Sequence, residues 1–361
     1  MNRPLLAAAA LLAAACSPDF DPASKVEKLR VLAVQAEPPE IEPPSGTAVA
    51  PDRAALTSFV LRADFAADPA RETTVAYVAC IPAPGNPGPN PCVLFSELSD
   101  PAAVLAAAAG AACAPPPPDQ LVSIAFAGVE VCRAPDPGAP APWKTCGPAT
   151  AGGAALPAPE VAVPAGFGFG ALPQGAPDRI LGVQAVVLAF AIDASPGELA
   201  TGPGACPAEV AARRLATLWG EREHVLSTKR VVIRGLEAPD PPNANPALDG
   251  ITAAGAVLDP GAGSAVPRGA VTLAPVLPAA ADHEAYTELD VTGAPVRSRV
   301  EEWVYSWFGT AGEMDELHTR DGEVEQWDLG GAAGGPALVA AVVRDLRGGV
   351  AWRWAKVTVA P

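Results

Sequence analysis

A mainly β chain organised as two β-sandwich domains is what this sequence predicts, and three observations carry that expectation. Short runs rich in Val, Ile, Phe, Tyr and Trp recur along the chain, separated by turn-forming residues. The 361 residues include 43 Pro and 34 Gly, a composition that favours short strands and long loops over helical bundles. Apolar residues make up 50% of the chain but aromatics only 5%, so alanine supplies much of the apolar count, and two modest cores suit the length better than one.

The first domain is expected over residues 27–235. Residues 28–37 (KLRVLAVQAE) are rich in β-formers and are ended by Pro38 and Pro39. Residues 55–65 place Phe59, Leu61, Ala63 and Phe65 on one side at period two, and residues 74–81 give a third strand that contains Cys80. Asp100 and Pro101 read as an N-cap and first-turn proline for a short alanine helix stopped at Gly110. Residues 181–192 (LGVQAVVLAFAI) form a nearly continuous apolar run, as a strand buried on both faces does. Residues 207–219 carry a helical stripe of Val210, Ala211, Arg214, Leu215 and Leu218, and residues 228–234 close the domain as a strand.

Residues 236–249 (LEAPDPPNANPALD) have no periodicity and mark a linker before a second domain at 250–361. Its expected strands are 271–276, 286–291, 301–308, 337–343 and 350–359, with Trp303, Tyr305 and Trp307 on one face. The last strand shifts phase between Trp354 and Val357, which predicts a β-bulge.

The N-terminus reads MNRPLLAAAALLAAAC: one positive charge at Arg3, an apolar run, three small residues and Cys16. Residues 1–15 form a signal peptide. With Cys16 they resemble the signal of bacterial lipoproteins, which implies cleavage before Cys16, acyl chains on that residue and stable membrane anchoring. Ser17, rather than Asp, follows the cysteine, and the resemblance implies the outer membrane; residues 16–26 then comprise the lipidated Cys and a polar tether. An ordinary secretory leader cleaved near Ala15 would instead leave Cys16 as a thiol.

Six cysteines remain: Cys80, Cys92, Cys113, Cys132, Cys146 and Cys206. An even count in an exported chain implies up to three disulfides, and the order along the chain leaves every pairing open. No Cys-x-x-Cys occurs, so zinc ribbons and thioredoxin-type chemistry lack their motif. All six lie in a Pro- and Gly-rich stretch that staples would stabilise by restricting the unfolded chain. They define a disulfide-rich, partly helical insertion in the first domain.

In the C-terminal half, EEWVYSWFGTAGEM, Trp327 and ALVAAVVRDLRGGVAWRWAKVTV resemble bacterial immunoglobulin-like domains of the PKD type. Trp307 with Thr310 to Gly312 matches that family's Trp strand and following turn, and residues 344–349 (RDLRGG) match its final hairpin, with Gly348 and Gly349 able to supply positive φ. The resemblance implies an immunoglobulin-like sandwich over the second domain. The N-terminal half resembles uncharacterised bacterial lipoproteins.

A net charge of −16 repels nucleic acid and anionic headgroups, and no apolar run reaches the roughly 18 to 20 residues of a spanning helix. No catalytic, phosphate-binding or EF-hand motif occurs, and Gly166, Gly168 and Gly170 lie in a Pro-rich loop without βαβ context. No cofactor is expected and no metal site is assigned. Asp282, His283, Glu284, Asp315, Glu316, His318, Asp321 and Glu323 are the weighed source of calcium ligands, against the commoner reading as solvated loops. Trp303, Trp307, Trp327, Trp352 and Trp354 could stack sugars, though core is the commoner role, and only Trp352 or Trp354 is a candidate for exposure. The expectation is a non-catalytic, membrane-anchored module presenting sandwiches for binding or envelope structure. The alternatives are a carbohydrate-binding lipoprotein and a hydrolase using a dispersed carboxylate pair such as Glu301 and Asp345.

Overall fold

The computed structural model describes residues 23–42, 53–66, 68, 70–85, 101–111, 122–134, 145–151, 153–163, 167–199, 206–260, 263–279 and 281–361. The first half contains β1 (Arg30–Glu37), β2 (Glu40–Ile41), β3 (Arg53–Leu61), β4 (Thr73–Pro82), α1 (Pro101–Ala111), β5 (Val122–Cys132), β6 (Cys146–Pro148), β7 (Thr150–Ala151), β8 (Ala154–Ala155), β9 (Glu160–Ala162), α2 (Pro177–Leu181), β10 (Val183–Ile192), α3 (Pro207–Trp219) and β11 (His224–Ile233). The second contains β12 (Gly250–Ala253), β13 (Ala256–Val257), β14 (Ser264–Val266), β15 (Ala270–Val276), β16 (Ala285–Leu289), β17 (Pro295–Val300), β18 (Val304–Gly309), β19 (Glu313–Met314), β20 (His318–Arg320), β21 (Glu325–Asp328), β22 (Gly335–Arg344) and β23 (Val350–Val359).

Each half is a β-sandwich. In the first, the sheet β1-β3-β9 faces the sheet β2-β11-β10-β4-β5-β6. Val34, Ala36, Leu56 and Val60 from one sheet meet Val75, Tyr77, Val187 and Val231 from the other. In the second, β13-β12-β15-β21-β19 faces β14-β23-β22-β18-β20 over a core that contains Trp303, Tyr305, Trp307 and Trp327. The order β12-β15-β21-β19 opposite β23-β22-β18 corresponds to the A-B-E-D and G-F-C order of immunoglobulin-like sandwiches, with a buried Trp, Trp307, on the strand equivalent to C. In both halves a short strand pairs in parallel with the last strand: β2 with β11 and β14 with β23.

The two longer helices occupy insertions of the first sandwich, α1 between β4 and β5 and α3 between β10 and β11, while the short α2 leads from β9 into β10. Val104, Leu105 and Ala108 of α1 and Ala211, Leu215 and Leu218 of α3 cover Val78, Leu188 and Phe190 on the outer face of the larger sheet. That is why β10 reads as a continuous apolar run: both its faces are buried. Leu181 belongs to α2, so the strand begins two residues later than its hydrophobicity suggests.

The two sandwiches also pack face to face. Leu32, Ala33, Phe59, Leu61 and Phe65 of the first meet Leu338, Ala340, Val342, Val350, Trp352 and Trp354 of the second. Phe59 and Trp352 are stacked, with ring centroids 5.5 Å apart and planes 3° from parallel. The small sheet β1-β3-β9 is thereby covered on both faces, and the molecule is a stack of one helical layer and four sheets.

This junction corrects four expectations. The bulge expected near Trp354 is absent: β23 pairs residue for residue with β22 from Gly335 opposite Val359 to Arg344 opposite Val350. The phase looked broken because both faces are apolar, Ala351, Ala355, Val357 and Val359 entering the domain core and Val350, Trp352 and Trp354 the junction. The tether expected up to residue 26 ends earlier: Val26 is fully buried, its N–H donates to Gly309 O at 2.9 Å, and Gly309 N–H donates to Ser24 O. The segment expected as a plain linker is tied down, because Asn245 donates to Ala36 O and Glu37 while its Oδ1 accepts from Val350 N–H. In the β22–β23 turn, Gly348 has φ +123°, whereas Gly349 is required for space, since a Cβ there would lie 2.1 Å from Asp345 Oδ2 and 2.8 Å from Ala244 O.

Burial of a large apolar side chain contributes about 1.5–3 kcal/mol, and truncating a buried Trp costs more because a cavity remains. Trp352→Ala is therefore expected to lower stability by about 3–5 kcal/mol. It should also uncouple the halves, which calorimetry would register as two separate unfolding transitions in place of one.

Candidate functional site

Three polar assemblies interrupt this apolar stack. The first is inside the N-terminal sandwich. Strand β5 was not among the expected elements, because a bulge at Ala127 and Gly128 breaks its alternation: Tyr77 faces Gly128 and Val78 faces Phe126. Gly128 has φ +111°, and a Cβ there would meet Ala158 O at 2.4 Å. Past the bulge, Glu130 and Cys132 turn toward the space between the sheets. Glu130 Oε1 accepts from Ser58 N–H at 2.7 Å and from the Tyr77 hydroxyl, which also bonds Ser58 Oγ, while Thr57 Oγ1 donates to Oε2 at 3.2 Å. Burial pushes the Glu130 carboxyl up to about 7 even though these donors pull it down.

Cys132 is disulfide-bonded to Cys146. Glu130, Cys132 and Cys146 are the only group among the described residues in which three potential metal-ligand atoms lie within 4.8 Å of one another, and the disulfide leaves its two sulfurs without thiolate character. Cys80 and Cys206 are also disulfide-bonded. Cys206 Sγ, at the N-cap of α3, accepts from Glu209 N–H at 3.3 Å. Cys16, Cys92 and Cys113 lie outside the described residues, as do Gly166, Gly202 and Gly204.

The second assembly lies at the rim of the junction. Arg347 pairs with Glu284 at 3.1 Å and Glu301 at 3.0 Å, and its guanidinium lies 4.8 Å from the centre of the Tyr286 ring. Asp345 caps the β22–β23 turn, its Oδ1 accepting the N–H groups of Arg347, Gly348 and Gly349 and its Oδ2 the Asn243 side chain at 2.8 Å. Glu301 and Asp345, the weighed carboxylate pair, thus do reach one cluster, and burial and the Asp345 charge raise the Glu301 carboxyl. Their oxygens are occupied by Arg347, by turn amides and by Trp303 Nε1 at 3.4 Å, an arrangement that fixes a turn.

Of the weighed calcium ligands, His283 and Asp321 approach one another at 3.8 Å, but no three of the eight form a ligand group among the described residues. Asp321 accepts from Trp303 N–H and the Tyr305 hydroxyl, His318 Nδ1 is 3.0 Å from Ser306 Oγ, and Glu323 accepts from Arg320 N–H. The five tryptophans weighed as a sugar platform, Trp303, Trp307, Trp327, Trp352 and Trp354, are all buried, none more than 4% exposed.

The third assembly is open to solvent. A groove of about 470 Å³ lies between β1, β11 and the β22–β23 turn, lined by Leu32, Ser227, Lys229, Arg230, Arg344 and Gly348 among others. A second, of about 410 Å³, shares Leu32 and continues past Lys28, Arg30, Val225 and Phe308. Lys229 Nζ donates to Gly348 O; burial and nearby Arg344 bring its ammonium down to about 8 against the opposing pull of Asp345. Arg344 donates to Ser306 Oγ at 3.0 Å and Leu32 O at 2.9 Å. Sequence reasoning missed this groove because its cations come from three separate segments, 28–30, 229–230 and 344. The one local signal was the pair Lys229-Arg230 inside a β-forming run.

The Glu130 network has a pH signature. A carboxyl near 4.5 in the unfolded chain and near 7 in the folded one binds more protons when folded, so its contribution is complete below about pH 4.5 and is lost as pH rises through about 7. Denaturant titrations should show wild type losing up to about 3 kcal/mol over that window relative to Glu130→Gln. Parallel pH profiles for the two proteins would refute the assignment.

No protein-family model and no curated protein matches the chain. Among solved structures, Escherichia coli alpha-2-macroglobulin in its native conformation aligns with 92% of this chain and 17% of its own, at 10% identity and a TM-score of 0.21. The same protein activated by porcine elastase aligns with 95% of this chain and 22% of its own, at 12% identity and a TM-score of 0.21. The chain therefore spans about a fifth of the length of these structures, and at such scores the similarity assigns neither a family nor an activity.

Proposed function

We propose that this protein is a non-catalytic module, held on the outer membrane by acyl chains on Cys16, that presents two fused immunoglobulin-like sandwiches for binding another envelope or surface component. The observation that carries the reading is the junction. Two sandwiches that share the apolar layer of Phe59, Trp352 and Trp354, and are laced by Asn243 and Arg347 to Glu40 and by Asn245 between Ala36 and Val350, form a body with fixed geometry. Such a body suits the display of a surface rather than closure on a substrate. The anchor supports the same reading: with Ser24 and Val26 fixed against Gly309, residues 17–22 alone would span at most roughly 20 Å when extended, keeping the stack close to the bilayer. The carbohydrate reading loses its basis with the burial of the tryptophans.

Metabolic labelling with a palmitate analogue, followed by membrane fractionation, tests the anchor. Wild type is expected to be labelled and to sediment with the outer membrane, and Cys16→Ser to be unlabelled and released. A Cys16→Ser protein that still sediments with membrane, or a wild type that takes up no label, would sink the proposal.

A further inference from the structure

The larger sheet of the first sandwich has an unfinished edge. Among the described residues, β11 is paired on its outer side only by β2, at Val232 and Ile233. Arg234 N–H donates to Ile41 O at 2.9 Å, which fixes the phase of the strand. Because β11 pairs with β10 without a bulge, the N–H and C=O groups of Leu226, Thr228 and Arg230 point to that same side. Among the described residues, this edge takes up no backbone hydrogen bond between His224 and Arg230, a run of roughly 20 Å. The facing edge of β1 differs, since Arg344 and Asn245 cap its carbonyls at Leu32 and Ala36.

The charge around the open edge runs against that of the molecule. In a chain of net charge −16, Lys28, Arg30, Lys229, Arg230 and Arg344 line the two grooves, and none of them forms an ion pair among the described residues. The one acid in the lining, Glu27, is paired with Lys25. Several arginines elsewhere are neutralised, as Arg62 is by Asp64, Asp193 and Glu223. Strand donors and acceptors beside cations whose hydrogen bonds go to neutral oxygens rather than to carboxylates match an extended chain that carries carboxylates.

We propose that the β11 edge is a docking site for an extended acidic segment of a partner protein, which adds as a strand and sets carboxylates against Lys229, Arg230 and Arg30. This rests on the reading of the protein as a binding module and names the chemistry of its partner. Residues of the added strand that point inward meet Leu32, Val225 and Phe308, so alternation of acidic with apolar residues fits the groove. Main-chain pairing supplies affinity, and the cations exclude basic sequences.

The test uses the full chain extracted in detergent, with labelled peptides that alternate Glu with Val or Lys with Val. The Glu peptide is expected to bind at least about tenfold tighter than the Lys peptide, with affinity falling as salt rises. Thr228→Pro removes an outward N–H without touching the β10 ladder and should weaken binding about tenfold or more, whereas Thr228→Val keeps that amide and should bind as wild type. Amide exchange of the wild type should slow at Leu226, Thr228 and Arg230 when the peptide is added, a readout independent of how any variant folds. Equal binding of the two peptides, or protection that spares those three amides, would overturn the proposal. Acylation is read by mass in the same sample, so loss of the anchor and loss of the docking edge register separately.

Discussion

The structure depends on one sheet, β1-β3-β9, having no solvent face. A sheet in a lone sandwich keeps one polar side, but here Phe59 and Leu61 point one way and Leu56 and Val60 the other, all four buried. Neither sandwich can leave its partner without exposing Trp352, Trp354 and Phe59. An apolar surface of that extent is uncommon on a soluble monomer. Co-folding of the two halves follows from the sequence of β3 and β23 more than from the segment that joins them.

Closing that face creates a demand at its rim. Loops that leave the stack carry backbone and charged groups which burial deprives of water, and each must find a partner. Arg347 with Glu284 and Glu301, Asp345 with the turn amides, and Asn245 bridging β1 and β23 meet that demand at one end. Arg62, with a side chain only 4% exposed, meets it at the other through Asp64, Asp193 and Glu223. Asp64 shows the balance: burial raises its carboxyl, but Arg62 and Arg71 outweigh that and hold it below its usual range. Removing one member would strand the remaining charges, while the relative placement of the sandwiches is set by the bonds that cross between them, Gln35 to Val350 O, Arg344 to Leu32 O and Asn245 to Ala36 O and Val350 N–H.

Much of the fold was legible because most strands alternate or run apolar for a length that only a strand would use. The helix at residues 101–111, announced by Pro101, and the helix at 207–219, with its stripe of Ala211, Leu215 and Leu218, were equally clear. What sequence hid was of two kinds. Strand β5 carries a bulge, and one extra residue at Ala127 reverses every side chain beyond it, so no single period spans the strand. Strand β23 is buried on opposite faces by two different neighbours, and a pattern read against one neighbour looks like a slip. The candidate site was harder still. The stretch of Lys28 and Arg30, Lys229 and Arg344 lie far apart in the chain, and only the packing of β1 beside β11 and the β22–β23 turn brings them to two adjoining grooves. Cys132 and Cys146 were legible as staples but not as a pair, since spacing alone favours no pairing.

The two strands that flank the groove show how differently one fold can treat an edge. An unpaired edge invites association with other chains, and proteins commonly blunt it with charge, bulges or side-chain caps. On β1 the guanidinium of Arg344 and the amide of Asn245 occupy the outward carbonyls. On β11, the pairing with β2 covers two residues, and among the described residues the edge beyond it meets no further strand. Lys229 and Arg230 beside that edge repel a second basic strand and attract an acidic one, so the same charges that discourage indiscriminate pairing also select a partner. Selection of this kind requires that the groove keep its width, and the width is set by the spacing between β1, β11 and the β22–β23 turn. That spacing is fixed by the shared apolar layer of the junction, so the specificity of the open edge follows from the burial of the sheet beside it.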